Sequence, residues 1–106
     1  MVRGALVGVD VGTTFIKAVV YDPEMVPLGE CMVRTPWRQT ASGGDADPDA
    51  VVAAVVQSLD GAFARAEAVQ VDALGVTGMG ESGVLVDAER GALERALLDG
   101  AAASLA

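Results

Sequence analysis

Residues 7–22 of the chain read VGVDVGTTFIKAVVYD, and this stretch sets the architecture of the rest. The runs from Ala5 to Val11 and from Phe15 to Tyr21 are rich in β-branched residues, so each predicts a strand. Gly12 lies between them and is expected to supply the positive φ of a sharp reversal, because it lacks the Cβ that forbids such a φ. The stretch therefore predicts two antiparallel strands joined by a tight turn.

One carboxylate interrupts the first apolar run. A buried carboxylate without a partner is costly, so we expect Asp10 to have a functional role. Gly12, Thr13 and Thr14 follow it and can offer amide N–H groups and hydroxyls to phosphate oxygens. A carboxylate beside such a turn can hold Mg²⁺, usually through water. The alternative interpretation is an ordinary hairpin whose turn happens to contain Gly-Thr-Thr.

Lys17 is the charged residue of the second predicted strand. It follows Thr14 by three positions, close enough to reach a phosphate bound at the turn. It could equally be a strand lysine whose aliphatic stem packs while its amine stays in water. The residues alone leave both interpretations open.

Composition restricts the classes of partner. The chain has 106 residues, 52% of them hydrophobic and 21% charged, which allows one small domain with a core. A net charge of −8 argues against nucleic acid and anionic membranes as partners. The single cysteine, Cys31, cannot form an internal disulfide and fits a reducing cytoplasm. The apolar run before Asp10 is too short for a membrane span, and no targeting segment is visible.

The remaining elements complete an α/β pattern. A third strand is predicted over Met25 to Arg34, and a loop over Thr35 to Gly44. The Trp37 ring in that loop either stacks on a sugar or plugs the edge of the core. A helix is predicted over Asp47 to Ala66, with Asp47 as its N-cap. Its apolar stripe comprises Val52, Val55, Val56, Leu59, Phe63 and Ala66.

A fourth strand, Val69 to Thr77, follows the helix and is expected to lie parallel to the first strand. The fold class is thus a mixed sheet, an antiparallel three-strand meander plus a parallel strand after a helix crossover. Because the strands are apolar on both faces, we expect the sheet to be covered on both sides. A glycine-rich loop from Thr77 to Gly83 leads to a fifth strand, Val84 to Asp87. Ligands of open α/β sheets bind beyond such strand ends.

The motif Asp-Val-Gly-Thr-Thr-x-x-Lys-Ala at residues 10–18 closely resembles the first phosphate motif of the FGGY carbohydrate kinases, of the actin/hexokinase/Hsp70 superfamily. The stretch from Val76 to Gly91 more loosely resembles the family's second block. The resemblance implies a ribonuclease H-like fold, here incomplete, and ATP-dependent phosphoryl transfer to a sugar or polyol hydroxyl. It implies that Asp10 organises Mg²⁺, and that Gly12, Thr13, Thr14 and Lys17 bind the phosphates of ATP.

By the same resemblance, Gly80 and Glu81 occupy substrate-contacting positions. Glu81 resembles the glycerol-kinase branch, whereas Gly80 replaces a larger side chain, so the identity of the sugar stays open. Considered from the residues alone, Glu81 could also be a solvated loop acid.

Known members of the family are much longer, so residues 1–106 are expected to be a partial N-terminal domain, inactive alone. The expected catalytic base and adenosine pocket have no counterpart here. Apolar surface left uncovered would favour homo-oligomers. Two alternatives are a non-catalytic or self-associating remnant of the same fold and another superfamily member, such as an activator ATPase or a glucokinase-like protein. The Thr13-Thr14 pair argues against the glucokinase-like group.

Overall fold

The computed structural model describes residues 3–41, 43–78, 86–87, 91–92 and 97–98. The described residues fall into two compact units, one of residues 3–35 with 54–78 and one of residues 36–53 with those described beyond 78. The elements are, in chain order, β1 (Arg3–Val11), β2 (Phe15–Tyr21), β3 (Pro27–Arg34), β4 (Arg38–Thr40), β5 (Gly43–Ala46), α1 (Pro48–Ala66), β6 (Val69–Gly78), β7 (Val86–Asp87), β8 (Gly91–Ala92) and β9 (Leu97–Leu98).

Four strands of the first unit form one mixed sheet in the order β3-β2-β1-β6. The pairs β1–β2 and β2–β3 are antiparallel, and β6 lies parallel to β1. This is the predicted meander followed by a parallel strand after the helix, and the predicted mixed α/β class is confirmed.

The turn between β1 and β2 is closed by a backbone hydrogen bond. The Gly12 amide donates a hydrogen bond to the Phe15 carbonyl oxygen at 3.0 Å. A Cβ built on Gly12 would lie 2.7 Å from that same oxygen. Gly43 is the glycine with a positive φ among the described residues, so the expectation that Gly12 supplies an unusual φ is wrong. Gly12 is needed here because only a residue without a side chain allows the close approach.

The helix begins where its capping residue predicts. Asp47 accepts a hydrogen bond from the Asp49 amide through its side chain, 3.0 Å long. Its carbonyl accepts another from the Val51 amide at 3.0 Å. These contacts are those of an N-cap, and Pro48 takes up the first helical position.

The helix face that is buried differs from the predicted stripe. Val52 and Val56 are 61% and 49% exposed. The buried positions are small residues spaced by four, namely Ala54, Ser58, Ala62 and Ala66, of which Ala66 alone belongs to the predicted stripe.

A close approach between α1 and β3 explains the choice of small residues. A Cβ on Gly29 would collide with the Ala62 carbonyl, and one on Gly61 would collide with the Cys31 sulfur. Larger side chains on this face would hold the helix away from the strand. The two glycines and the small helical residues thus pack closely against one another. A pattern of apolar residues does not predict this kind of packing.

The described residues cover one face of the sheet. Cys31 and Gly29 are in register with Ala18 and Val20 and share a face with them, which is the face that α1 contacts. The buried side chains of β1 and β2 on this face are Ala5, Val7, Val9, Ile16, Ala18 and Val20. Leu74 and Val76 of β6 are in register with Val7 and Val9 and share this face, yet they are 51% and 61% exposed. The helix thus covers this face over β1 and β2 but not over β6, and Asp10 and Lys17 on the opposite face are exposed. Coverage of both faces, as expected from the sequence, is therefore not found within the described part of the chain.

The second unit contains a hairpin where a loop was expected. β4 and β5 pair antiparallel, and Arg38 donates to the Asp45 carboxylate at 2.9 Å. The half-buried Trp37 ring lies beside Gly44, 3.7 Å from where a Cβ would be, so it packs on this hairpin. β9 adds to the edge of β5, and β7 pairs with β8. The predicted fifth strand is described only at its last two residues, in β7.

Among the described helices, none has the length and apolar character needed to cross a membrane.

Candidate functional site

The predicted phosphate turn is held from behind by a buried threonine. The Thr35 hydroxyl donates to the Gly12 carbonyl oxygen at 2.8 Å. The Thr35 amide donates to the Thr14 carbonyl oxygen at 2.9 Å. Thr35 itself is 3% exposed, whereas Thr13 and Thr14 are exposed. The turn therefore has one anchored side and one side open to a ligand.

Asp10 lies at the end of β1, next to this turn. Its carboxylate is exposed, so the expectation of a buried carboxylate is wrong. The reason is register: Asp10 pairs with Lys17 and Thr77 on the sheet face opposite α1. The Thr77 hydroxyl donates to Asp10 Oδ1 at 3.1 Å, which orients the carboxylate without burying it.

Lys17 lies beside Asp10 across the β1–β2 pair. Its Nζ is 3.8 Å from Glu30 Oε2, and both side chains are about half exposed. An exposed ion pair of this length contributes little, so the amine can leave Glu30 at small cost. The structure thus brings Lys17 to the same face as Asp10 but directs its amine to an acid on β3.

A groove of about 420 Å³ runs along this face of the sheet. Gly8 and Gly75 are neighbours in register and contribute no side chains to its floor. Its polar end is formed by Asp10, Lys17 and Thr77. The other lining residues are Val9, Val19, Tyr21 and Val76.

Two predicted substrate-binding residues, Gly80 and Glu81, lie outside the described residues. Of the predicted phosphate and metal residues, Asp10, Gly12, Thr13, Thr14 and Lys17 are all brought to one end of the β1–β2 hairpin.

The residues of this site suit a magnesium ion that takes some of its donor atoms from the phosphates of a bound substrate. Within the described ranges, no three His, Cys, Asp or Glu side chains converge on a point where a metal could sit. Mg²⁺ does not need such a cluster, because it commonly binds through one or two carboxylates, waters and substrate phosphates. Asp10, oriented by Thr77 and beside the exposed threonines of the turn, matches that donor set.

Sequence reasoning missed two residues of the site. Thr35 was assigned to a loop, and nothing in its local sequence indicates that it contacts a turn 23 positions earlier. Thr77 could have been found, because a parallel pairing of the fourth strand with the first brings its end beside Asp10.

The mixed four-strand sheet with its helix is structurally similar to that of kinases with the actin-like ATPase fold. The family model for the N-terminal domain of the FGGY family of carbohydrate kinases matches residues 5–102, and the chain belongs to this family. A glycerol kinase from Allorhizobium ampelinum is 35% identical over an alignment of 91 residues that covers 83% of this chain and 18% of that protein.

Solved structures share the fold. A gluconate kinase from Lactobacillus acidophilus matches 96% of this chain with a TM-score of 0.79 and 21% identity. A xylulose kinase from Rhodospirillum rubrum matches 88% with a TM-score of 0.78 and 20% identity. The glycerol kinase of Plasmodium falciparum, solved with ADP, matches 91% with a TM-score of 0.75 and 15% identity. The chain spans 20% or 21% of the length of each of these structures.

Proposed function

We propose that this chain is the first part of the N-terminal domain of an ATP-dependent kinase that phosphorylates a sugar or polyol hydroxyl. The observation that carries the proposal is the position of Asp10, exposed, held by Thr77 and adjacent to the anchored Gly12–Phe15 turn. Membership of the FGGY family supports it.

The turn residues have distinct roles in this proposal. Thr13 and Thr14, on the open side of the turn, would bind phosphate oxygens of ATP through hydroxyls and amides. The Gly12 amide already donates to Phe15, so Gly12 would serve by keeping the backbone tight rather than by donating to phosphate. Lys17 would exchange Glu30 for a phosphate, since a doubly charged oxygen cluster attracts its amine more than one exposed carboxylate does.

Asp10 would hold Mg²⁺ through water, together with phosphate oxygens. When bound, the ion neutralises charge that develops on the transferring phosphoryl group. The chain's own contribution is orientation, because Thr77 fixes one carboxylate oxygen and leaves Oδ2 for the ion's water shell.

The substrate class is a sugar or polyol, with Gly80 and Glu81 proposed to contact it. A carboxylate accepts hydrogen bonds from two hydroxyl donors, which makes Glu81 a suitable partner for a polyol. A cytoplasmic location is part of the proposal, because the single cysteine fits a reducing compartment. The net charge of −8 argues against nucleic acid and anionic membranes as partners.

The test uses the protein as its gene encodes it. Binding of Mg-ATP is measured by calorimetry, and phosphorylation is measured by an ATP-coupled assay over a panel of sugars and polyols. Asp10→Asn is compared with Asp60→Asn, a matched loss of an exposed carboxylate on α1. We expect Asp60→Asn to behave as wild type and Asp10→Asn to lose Mg-ATP binding or turnover. Equal behaviour of the two variants would refute the proposal.

A second candidate is a non-catalytic module of the same fold that self-associates. The observation that favours it is the exposure of Val71, Leu74 and Val76 on β6, an apolar surface that another copy could cover. Sedimentation of the wild-type protein and of Val76→Lys distinguishes the candidates, since a homo-oligomer built on β6 should dissociate in the variant. A monomeric wild-type protein would rule this candidate out.

A further inference from the structure

Thr35 is the buried polar residue that contacts the phosphate turn. It follows the last residue of β3 and lies 3% exposed behind the turn. Its two hydrogen bonds reach both sides of the turn, to the carbonyls of Gly12 at 2.8 Å and Thr14 at 2.9 Å. One residue therefore holds both ends of the two-residue segment Thr13-Thr14.

Anchoring a carbonyl also fixes the direction of the next amide. The described peptide bonds are all trans, and in a planar trans peptide the C=O and the following N–H point in opposite directions. When the Gly12 carbonyl is held toward Thr35, the Thr13 N–H is directed away from Thr35. When the Thr14 carbonyl is held the same way, the Phe15 N–H is directed likewise.

We propose that Thr35 is a positioning residue for phosphate binding, because it orients the amides of the Gly12–Phe15 turn. This inference rests on the proposed function, in which that turn binds the phosphates of ATP. Donors that are oriented before the ligand arrives need no reorganisation when charge moves, which is where such hydrogen bonds contribute most. Thr35 itself touches no ligand.

The main-chain and side-chain parts of this contact can be separated. Thr35→Val keeps the shape and the amide bond to Thr14 but removes the hydroxyl that holds Gly12. Thr35→Ser keeps the hydroxyl. Ser58→Ala is the matched control, because Ser58 is also fully buried and donates its hydroxyl to a carbonyl, that of Val55, at 2.7 Å, away from the turn.

The first measurement is amide hydrogen exchange in the encoded protein without ligand. The Gly12 and Thr35 amides donate hydrogen bonds within the turn, to the Phe15 and Thr14 carbonyls. In Thr35→Val we expect these two amides to exchange faster by about threefold to tenfold, the ratio that loss of one hydrogen bond implies. Thr35→Ser should restore slow exchange, and Ser58→Ala should leave these amides unchanged. Unchanged exchange in Thr35→Val would overturn the proposal, and so would equal acceleration in Ser58→Ala.

The second measurement is steady-state kinetics with Mg-ATP and sugar varied separately. Thr35→Val should raise the KM for ATP or lower kcat by about threefold to tenfold while the KM for sugar stays within about twofold. A general loss of folding would instead lower the amount of active enzyme in Thr35→Val and Ser58→Ala alike. Such a result, or an equal loss for both substrates, would contradict a positioning role.

Different results would refute the proposed function and the positioning role of Thr35. A wild-type protein that binds no Mg-ATP would refute the proposed function and, with it, the phosphate-binding part of this inference. The exchange rates in Thr35→Val would still decide whether the hydroxyl orients the turn. Normal Mg-ATP binding with no effect of Thr35→Val would refute the positioning role alone.

Discussion

Asp10 is the residue on which the proposed chemistry depends most. Asp10→Ala in the encoded protein should leave sugar affinity nearly unchanged and reduce kcat by a hundredfold or more, on the order seen when a group that stabilises transition-state charge is removed. Calorimetry with sugar and an ATP-coupled assay measure the two quantities. An equal loss of sugar binding would place Asp10 in the substrate pocket instead.

Thr77 should act through Asp10. Thr77→Val keeps the β-branched shape of the strand residue but removes the donor to Asp10 Oδ1. We expect kcat with Mg-ATP to fall by about threefold to tenfold, because the carboxylate loses its fixed orientation. Thr77→Ser should restore it. If Thr77→Val and Thr77→Ser had the same kcat, whether normal or reduced, the Thr77 hydroxyl would not be what orients Asp10.

Because α1 packs closely on β3, we expect Gly61→Ala to destabilise the protein, whereas helix propensity alone predicts that it stabilises the protein. Gly61→Ala in an open helix would gain about 1 kcal/mol. Here the added Cβ meets the Cys31 side chain, and overpacking of this kind costs about 1–3 kcal/mol. We therefore expect a net loss of up to about 2 kcal/mol in the free energy of unfolding, measured with urea.

The exposed position Gln57 provides the control for that measurement, because Gln57→Ala changes a helical side chain without meeting β3. Adding Cys31→Ala to Gly61→Ala should recover part of the loss, since the two residues are in contact and their effects are not additive. A Gly61→Ala protein more stable than wild type would show that the helix can move away from the strand at no cost.

Local patterns predicted the elements well where periodicity and capping set them. The second strand, Phe15 to Tyr21, agrees with β2 at both ends, and Asp47 caps α1 as expected. The periodicity of apolar residues did not predict the buried face of α1, because close packing of small residues against Gly29 determines which face is buried. The β4–β5 hairpin was missed because its sequence is rich in glycine and polar residues, which more often indicate a loop.

The proximity of candidate site residues within one hairpin could be predicted from the sequence, whereas contacts between distant segments could not. Asp10 and the Gly-Thr-Thr turn are contiguous in sequence, so their meeting follows from the chain itself. The exposure of Asp10 depends on which sheet face α1 covers, and the role of Thr35 depends on where β3 ends. Both are properties of the assembled sheet.

Residues 1–106 alone should phosphorylate no sugar. In the proposal Asp10 is assigned to the metal, and Glu30 is paired with Lys17, so neither is assigned to receive the proton of the substrate hydroxyl. The measurement is an ATP-coupled assay of the purified 106-residue chain over a sugar and polyol panel. Turnover above background ATP hydrolysis that Asp10→Ala abolishes would mean that the base lies within these residues, with Glu81 the first to be tested.

The partners of Asp10 differ greatly in their distance along the chain. The turn that follows it closes within a few residues, on the microsecond timescale typical of hairpins. Thr77 lies 67 residues away, and closing so long a loop carries a larger entropic cost. During synthesis the ribosome releases the first hairpin long before it adds β6. We therefore expect the turn to form early in folding. The Asp10 carboxylate becomes oriented late, so the site is complete only when β6 pairs with β1.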